Sequence, residues 1–199
     1  YMAEAGFAKI GISAEHGDQD FLDITVGKRL DLNEIVASID LAHEAGLLVH
    51  TNFMMGFPFE TKKNRDKTIE FSKSLKADSF SVSLAAPLPG TKMWDIVEQN
   101  QLFMPEFDVN RLVYDVVNIK PHDIDPHDLK ELVISLNTEL NHAAKLRSTA
   151  ANDHYELFKN KNSSGDRKYS HTPESVKIWG SQANDLKFAD SHGSVVPKK

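Results

Sequence analysis

The chain has no cysteine. That removes disulfides and thiolate metal sites from its own residues. It has no dense run of Lys and Arg, and its formal net charge is −6. Both argue against a duplex nucleic-acid binder, which would need a basic face to meet phosphates, and no nucleic-acid partner is expected. No apolar run is long enough to span a bilayer, and no signal peptide opens the chain. Absence of cysteine does not fix a compartment, so the cytoplasm is only the default expectation. What remains is ordinary for a globular protein. The 199 residues are 40% hydrophobic and 26% charged, which suits one domain with a real core, or one domain and a tail, and argues against disorder throughout. The first residue is Tyr1, and YMAEAGFAKIGI reads as if it begins inside a helix. The expectation is the later part of a longer protein, with processing as the plainer alternative.

Three apolar runs read as buried strands: Ala8 to Ala14, Leu47 to Met55 and Ser79 to Ala86. Helical patterns separate them. Ile35, Val36, Ile39 and Ala42 mark one apolar face between Asp31 and Ala45. Asp31 with Glu34 three residues on fits a capping box, and Gly46 stands where a left-handed C-cap belongs. Thr61 is a good N-cap for a helix to Lys76, with Phe71 and Leu75 as an apolar pair one turn apart. The order strand–helix–strand–helix–strand predicts parallel strands with right-handed crossovers, in an α/β sheet or part of an α/β barrel. A helix from Met93 to Gln101 follows. A long one comes next, capped by Asp125, with Pro126 in its first position and a stripe of Leu129, Leu132, Val133, Leu136 and Leu140. From about Asn160 the sequence KNKNSSGDRKYSHTPES reads as a polar, weakly ordered tail, with VKIWG as an apolar island. The expected division is 1–147 for the barrel part and its helix, and 148–199 for the helix end and the tail.

In parallel α/β folds, ligands sit at the carboxyl ends of the strands. Glu15, His16 and Gly17 follow the first strand. Asn52 lies near the end of the second, which leaves through FMMGFPFET. There Gly56 allows close approach and unusual dihedrals, and Pro58 stiffens the exit without an amide that needs a partner. PLPGT, Pro87 to Thr91, follows the third. A rigid strand-to-helix turn at the ligand face could be a cofactor wall or simply a well-made βα turn. Asn52 is unusual in an apolar strand, because a buried amide costs free energy unless paired; a satisfied structural Asn stays open. An acid directly after a buried strand, as at Glu15, is less easily explained as surface. His16 reads as a neutral packed histidine rather than a substrate contact. His50 shares a strand face with Asn52 and could line the interior. His122, His127 and His142 read as loop and helix-surface residues, and no two histidines have a metal-site spacing.

The segments GISAEHGDQDFLDITVGK, GLLVHTNFMMGFPFETKKNRDKTIEF and APLPGTKMWDIVEQNQL occur in this order. Together they resemble the later half of the radical S-adenosylmethionine (SAM) enzymes, closest to the group often fused to a cobalamin-binding domain. The resemblance runs from about Met2 to Leu146. It implies the C-terminal half of a partial (β/α)6 barrel with parallel strands, then the long helix and the polar tail. It implies SAM and a 4Fe-4S cluster at the strand carboxyl ends, with cobalamin in part of the group. In that family the cluster donates an electron to SAM, and SAM cleavage yields a 5′-deoxyadenosyl radical that abstracts hydrogen from a substrate.

Carried over by position, the resemblance implies that Glu15 contacts SAM. Lys28, one residue out of register, meets the SAM carboxylate, and an exposed structural Lys is an equal alternative. Asn52 reaches the ribose, and Met54, Gly56, Phe57 and Pro58 lie beside the adenine. Phe53, Met54 and Met55 can equally be core. PLPGT shapes the barrel mouth. The family's Cys-x-x-x-Cys-x-x-Cys signature is missing, and iron–sulfur clusters are normally held by thiolates. The expected partner is the missing N-terminal half of the barrel, and the chain alone is expected to be inactive. Half a barrel would also expose the outer edge of the first strand. Alternatives are a non-catalytic interaction or SAM-binding module of the same fold, and an unrelated βα-type binder. The substrate, a small molecule or a lipid, is not legible.

Overall fold

The computed structural model describes residues 1–111 and 113–162. The chain divides into two compact units, Tyr1–Asp153 and His154–Lys199. The sheet lies wholly in the first. The tail and the VKIWG island fall outside the described residues.

Three strands, β1 (Lys9–Glu15), β2 (Leu48–Met55) and β3 (Ser79–Leu84), form a parallel sheet in the order β1-β2-β3. The register sets Gly11, His50 and Ser79 in one row and Ser13, Asn52 and Ser81 in the next. The connections carry a short helix α1 (Gln19–Phe21) that runs into a π turn (Leu22–Val26), then α2 (Leu32–Glu44) and α3 (Lys62–Ser74). After β3 come α4 (Lys92–Gln99) and α5 (Pro126–Asn162). This is the α/β fold with a long C-terminal helix expected from the sequence, and it is consistent with part of a radical SAM barrel.

Local signals explain most boundaries. Asp31 caps α2 through the Asn33 amide at 2.8 Å rather than the Glu34 amide that a capping box would use. The complete box is on α3: the Thr61 amide donates to Asn64 Oδ1 at 2.9 Å, and the Asn64 amide donates to Thr61 Oγ1 at 3.4 Å. Asp125 caps α5 through the His127 amide at 2.8 Å. The opening residues differ from expectation. Residues 1–7 make turns, with the Ala5 amide on the Tyr1 carbonyl. So short a stretch closes too few intrahelical bonds to offset helix nucleation.

The two faces of the sheet are chemically different. Val49, Thr51, Phe53 and Met55 on β2, and Phe80, Val82 and Leu84 on β3, are buried. They pack against Ile35, Ile39 and Ala42 of α2, Ile69 and Phe71 of α3, and Leu129, Val133, Leu136, Leu140 and Ala144 of α5. Each large side chain fully buried here stabilises the fold by about 1.5–3 kcal/mol. On the opposite face stand His50, Asn52 and Met54 with Ser79, Ser81 and Ser83, all half-buried. A second apolar cluster of Phe21, Phe57, Ala85, Val97 and Ile119 gathers near the strand ends.

The two edges of the sheet also differ. Along β3, the Phe80 amide donates to Asn141 Oδ1 at 3.0 Å, and Asn141 Nδ2 returns a bond to the Phe80 carbonyl at 3.0 Å. Asn137 does the same for Val82, at 2.8 and 2.6 Å. The Leu84 amide bonds the Tyr114 carbonyl at 2.9 Å. Two carboxamides one turn apart on α5 thus stand in for a fourth strand. Among the described residues, β1 pairs on one side only, with β2.

Candidate functional site

The ligand end of β1 is bent by a register shift between Ser13 and Glu15. Glu15 takes a positive φ of 64°, which a residue with a Cβ adopts only when its surroundings hold it there. The π turn then brings the chain back, so that Lys28 Nζ lies 3.0 Å from Glu15 Oε1 and 2.8 Å from the Ser13 carbonyl oxygen. Single π turns in helices often mark functional positions, because they re-aim the side chains beyond them. Asn52 Nδ2 reaches the Ser13 hydroxyl at 3.4 Å, a long bond. The structure therefore gathers Glu15, Lys28 and Asn52 around Ser13. The Glu15 and Lys28 side chains keep 23% and 37% of their surface exposed, so the pair is open to a ligand.

The turn after β2 is held from behind. Gly56 has a φ of 81°, and a Cβ there would approach Leu129 Cδ2 to 3.0 Å, so both the dihedral and the space call for glycine. The Gly56 amide donates to Glu60 Oε2 at 2.6 Å. Glu60 Oε1 lies 3.1 Å from His16 Nε2, and both side chains are fully buried. The Asp18 amide donates to His16 Nδ1 at 3.0 Å, so Nδ1 carries no hydrogen and the Nε2–H is the one aimed at Glu60. His16 is thus a neutral, packed histidine, stacked near Phe21 at a centroid distance of 4.5 Å. Phe57 packs inward, edge-on to His16 and Phe21 at 6.0 Å. Pro58 is buried, and Met54 is half-buried on the face of Asn52.

A third layer of polar contacts ties both turns to the start of α3. The Gly17 amide donates to Thr68 Oγ1 at 3.0 Å. Asn64 Nδ2 donates to Asp18 Oδ2 at 2.8 Å, and Lys67 Nζ lies 2.9 Å from Asp18 Oδ1, as an ion pair off the hydrogen-bond direction. Burial pushes the Asp18 carboxyl up, but Lys67 and Asn64 outweigh it and hold it below its ordinary value. From the other side, Asp123 accepts from the Lys62 amide at 2.7 Å and pairs with Arg65. Those bonds, the amide first, hold Asp123 below its ordinary value as well. Arg65 also donates to the Glu60 carbonyl at 3.0 Å.

Glu60, Asp18, Asn64 and Asp123 were not singled out from the sequence. Each looks like a routine helix-start or loop residue. The one available signal was Glu60 itself, an acid between an aromatic residue and an N-cap, where nothing local needs it.

A parallel α/β unit with polar side chains and a rigid glycine–proline turn at its strand carboxyl ends has the layout in which βα folds commonly hold small molecules and cofactors. Comparison with known proteins narrows this. Residues 1–72 match the model of the radical SAM superfamily. A protein named uncharacterized methyltransferase PH0819, from Pyrococcus horikoshii, is 29% identical over 103 residues, covering 52% of this chain and 22% of that protein. Cytidylyl-2-hydroxyethylphosphonate methyltransferase of Streptomyces wedmorensis is 24% identical over 148 residues, covering 70% of this chain and 28% of that protein. Heme chaperone HemW of Bacillus subtilis is 23% identical over 135 residues, covering 67% and 35%. The chain thus spans at most 35% of the length of these relatives. The matches support the radical SAM superfamily.

Proposed function

We propose that the strand ends of this chain bind S-adenosylmethionine as part of a radical SAM enzyme. The observation that carries the reading is the gathering of Glu15, Lys28 and Asn52 around Ser13, beside a Gly56–Pro58 turn locked by Glu60 and His16. These residues fit the cofactor chemically. The Glu15 carboxylate can accept from ribose hydroxyls or an amino group, the Lys28 ammonium can meet a carboxylate, and the Asn52 amide can do either. Gly56, Phe57 and Pro58 offer backbone and apolar surface, with Met54 alongside. Bound SAM would supply 5′-deoxyadenosyl-radical chemistry when paired with a reduced cluster. The donor set for a 4Fe-4S cluster does not fit, because the chain has no thiolate. Its ligands would come from outside these residues, on the N-terminal half of a barrel that joins here, and the chain alone would not carry out the reaction. Two relatives bear methyltransferase names, which favours methyl transfer over ring formation as the outcome; cobalamin would serve such a transfer.

The test is SAM titration of the enzyme assembled with its cluster-bearing half. Glu15→Ala and Asn52→Ala should each weaken binding by a few-fold to about a hundred-fold, the range expected when a buried polar partner is removed. Unchanged affinity in both variants would overturn the site. The missing cysteines favour one second reading, a non-catalytic SAM-binding or interaction module of the same fold. SAM bound tightly by an assembly that never cleaves it would select that reading.

A further inference from the structure

The polar face of the sheet, that of His50 and Asn52, carries a further group that begins at Lys9 and Ser79 and reaches the row of Asn52 at Ser81. Lys9 Nζ donates to Ser79 Oγ at 2.8 Å. Ser79 Oγ lies 2.8 Å from His50 Nδ1, and His50 Nε2 lies 3.1 Å from Ser81 Oγ. A lysine ammonium only donates, so Ser79 accepts from it. The neutral His50 ring gives its one hydrogen to one of the two serines and accepts from the other. With either tautomer, one serine hydroxyl hydrogen and two of the three Lys9 ammonium hydrogens are left free of the bonds described. Burial, then the nearby Lys9 charge, holds His50 below its ordinary value, against an opposing hydrogen bond with Asn52.

The composition of this face is unusual for its place. Strands of parallel sheets generally bury aliphatic side chains on both faces. Here β3 gives three serines to the inner face, and β2 gives His50 and Asn52. The group is rich in free donors and holds one positive charge. Among the described residues no carboxylate takes part in its hydrogen bonds, and Glu15, near the other end of β1, is paired with Lys28. Lys9 is exposed, and the other three residues are half-buried, so a solute can reach them.

We propose that Lys9, Ser79, His50 and Ser81 form a site for an oxyanion, the carboxylate or phosphate group of a small molecule. Lys9 supplies charge, the serine whose hydrogen His50 does not take supplies a directed donor, and His50 orients both serines. Ser81 stands in the row of Asn52 and Ser13, and His50 is one row earlier, so the site adjoins the cofactor residues, about 7 Å from them along β2. A substrate lying against bound SAM would place an acidic group here. That corollary rests on the SAM reading, whereas the oxyanion site does not.

The test is an NMR titration of the His50 ring in the 199-residue chain. Orthophosphate and acetate are added in separate arms at constant pH and constant chloride-adjusted ionic strength. The expected result is a saturable His50 shift in at least one arm, and the arm that responds names the group. Lys9→Met should weaken that binding by about tenfold, and so should either Ser79→Ala or Ser81→Ala, whichever removes the free hydroxyl, the loss of one charge-assisted or directed bond. Lys62→Met, on the exposed start of α3, should leave it unchanged. A shift that stays linear in both arms would overturn the proposal. So would saturation with equal affinity in the Lys9→Met protein, whose folded state is checked by its melting temperature.

Discussion

A methyl group at position 17 would sit 2.6 Å from the Thr68 α-carbon and 2.8 Å from the Phe71 β-carbon. Neither neighbour is the end of a flexible chain, so β1 and α3 would have to move apart. Gly17→Ala should cost about 1–3 kcal/mol, the usual range for overpacking, read as a lower urea midpoint at unchanged slope. The same shift should loosen the bond between the Gly17 amide and Thr68 Oγ1. Glu15 and Asn52 stood out in the sequence because each is polar beside an apolar run, where a solvated surface residue is a poor explanation. The structure brings them together with Lys28, which the sequence could place only by position along the chain. Glu60 stayed illegible for the opposite reason. Its partners are the Gly56 amide, four residues back, and His16, 44 residues back, and nothing in linear spacing announces the second.

The sealed edge of β3 depends on two asparagines of α5. Asn137 bonds both backbone groups of Val82, and a leucine there would leave the Val82 amide and carbonyl without partners. Asn137→Leu should cost about 1–3 kcal/mol, and hydrogen exchange at the Val82 amide should quicken while the Val49 amide, held by Asp78, keeps its protection. Equal exchange at Val82 in both proteins would show that the side chain does not guard the edge. The apolar stripe of α5 was readable from its period, and Leu129, Val133, Leu136 and Leu140 are buried as that period requires. Asn137 and Asn141 broke no pattern. They read as solvent-facing neighbours of the stripe, because a side chain that imitates a strand has no signature in the helix that carries it. The strands were legible from their apolar runs. The polar face of β3 was not read, because the meaning of Ser79, Ser81 and Ser83 required β2 beside them.

In the first unit, the start of α3 is the point where separate parts of the chain meet. Asp18 reaches it from the exit of β1, and Asp123 reaches it from the loop before α5. Both carboxyls are held below their ordinary value of 3.8. The unfolded chain therefore takes up protons before the folded one does as the pH falls. Their contribution is fully present above the unfolded value and is lost as the pH drops through the lower folded values. Urea unfolding followed from about pH 6 down to pH 3 should show stability falling on the acid side, and Asp18→Asn should flatten that fall. An unaltered acid slope in the variant would remove Asp18 from the account. The unequal edges of the sheet have a consequence of another kind. Among the described residues, further strands can be added only beyond β1, because asparagine side chains have taken the bonding positions beyond β3. Two copies that met by backbone pairing would each spend their single open flank, so the pair would be an end point and the sheet would have no route to a fibril.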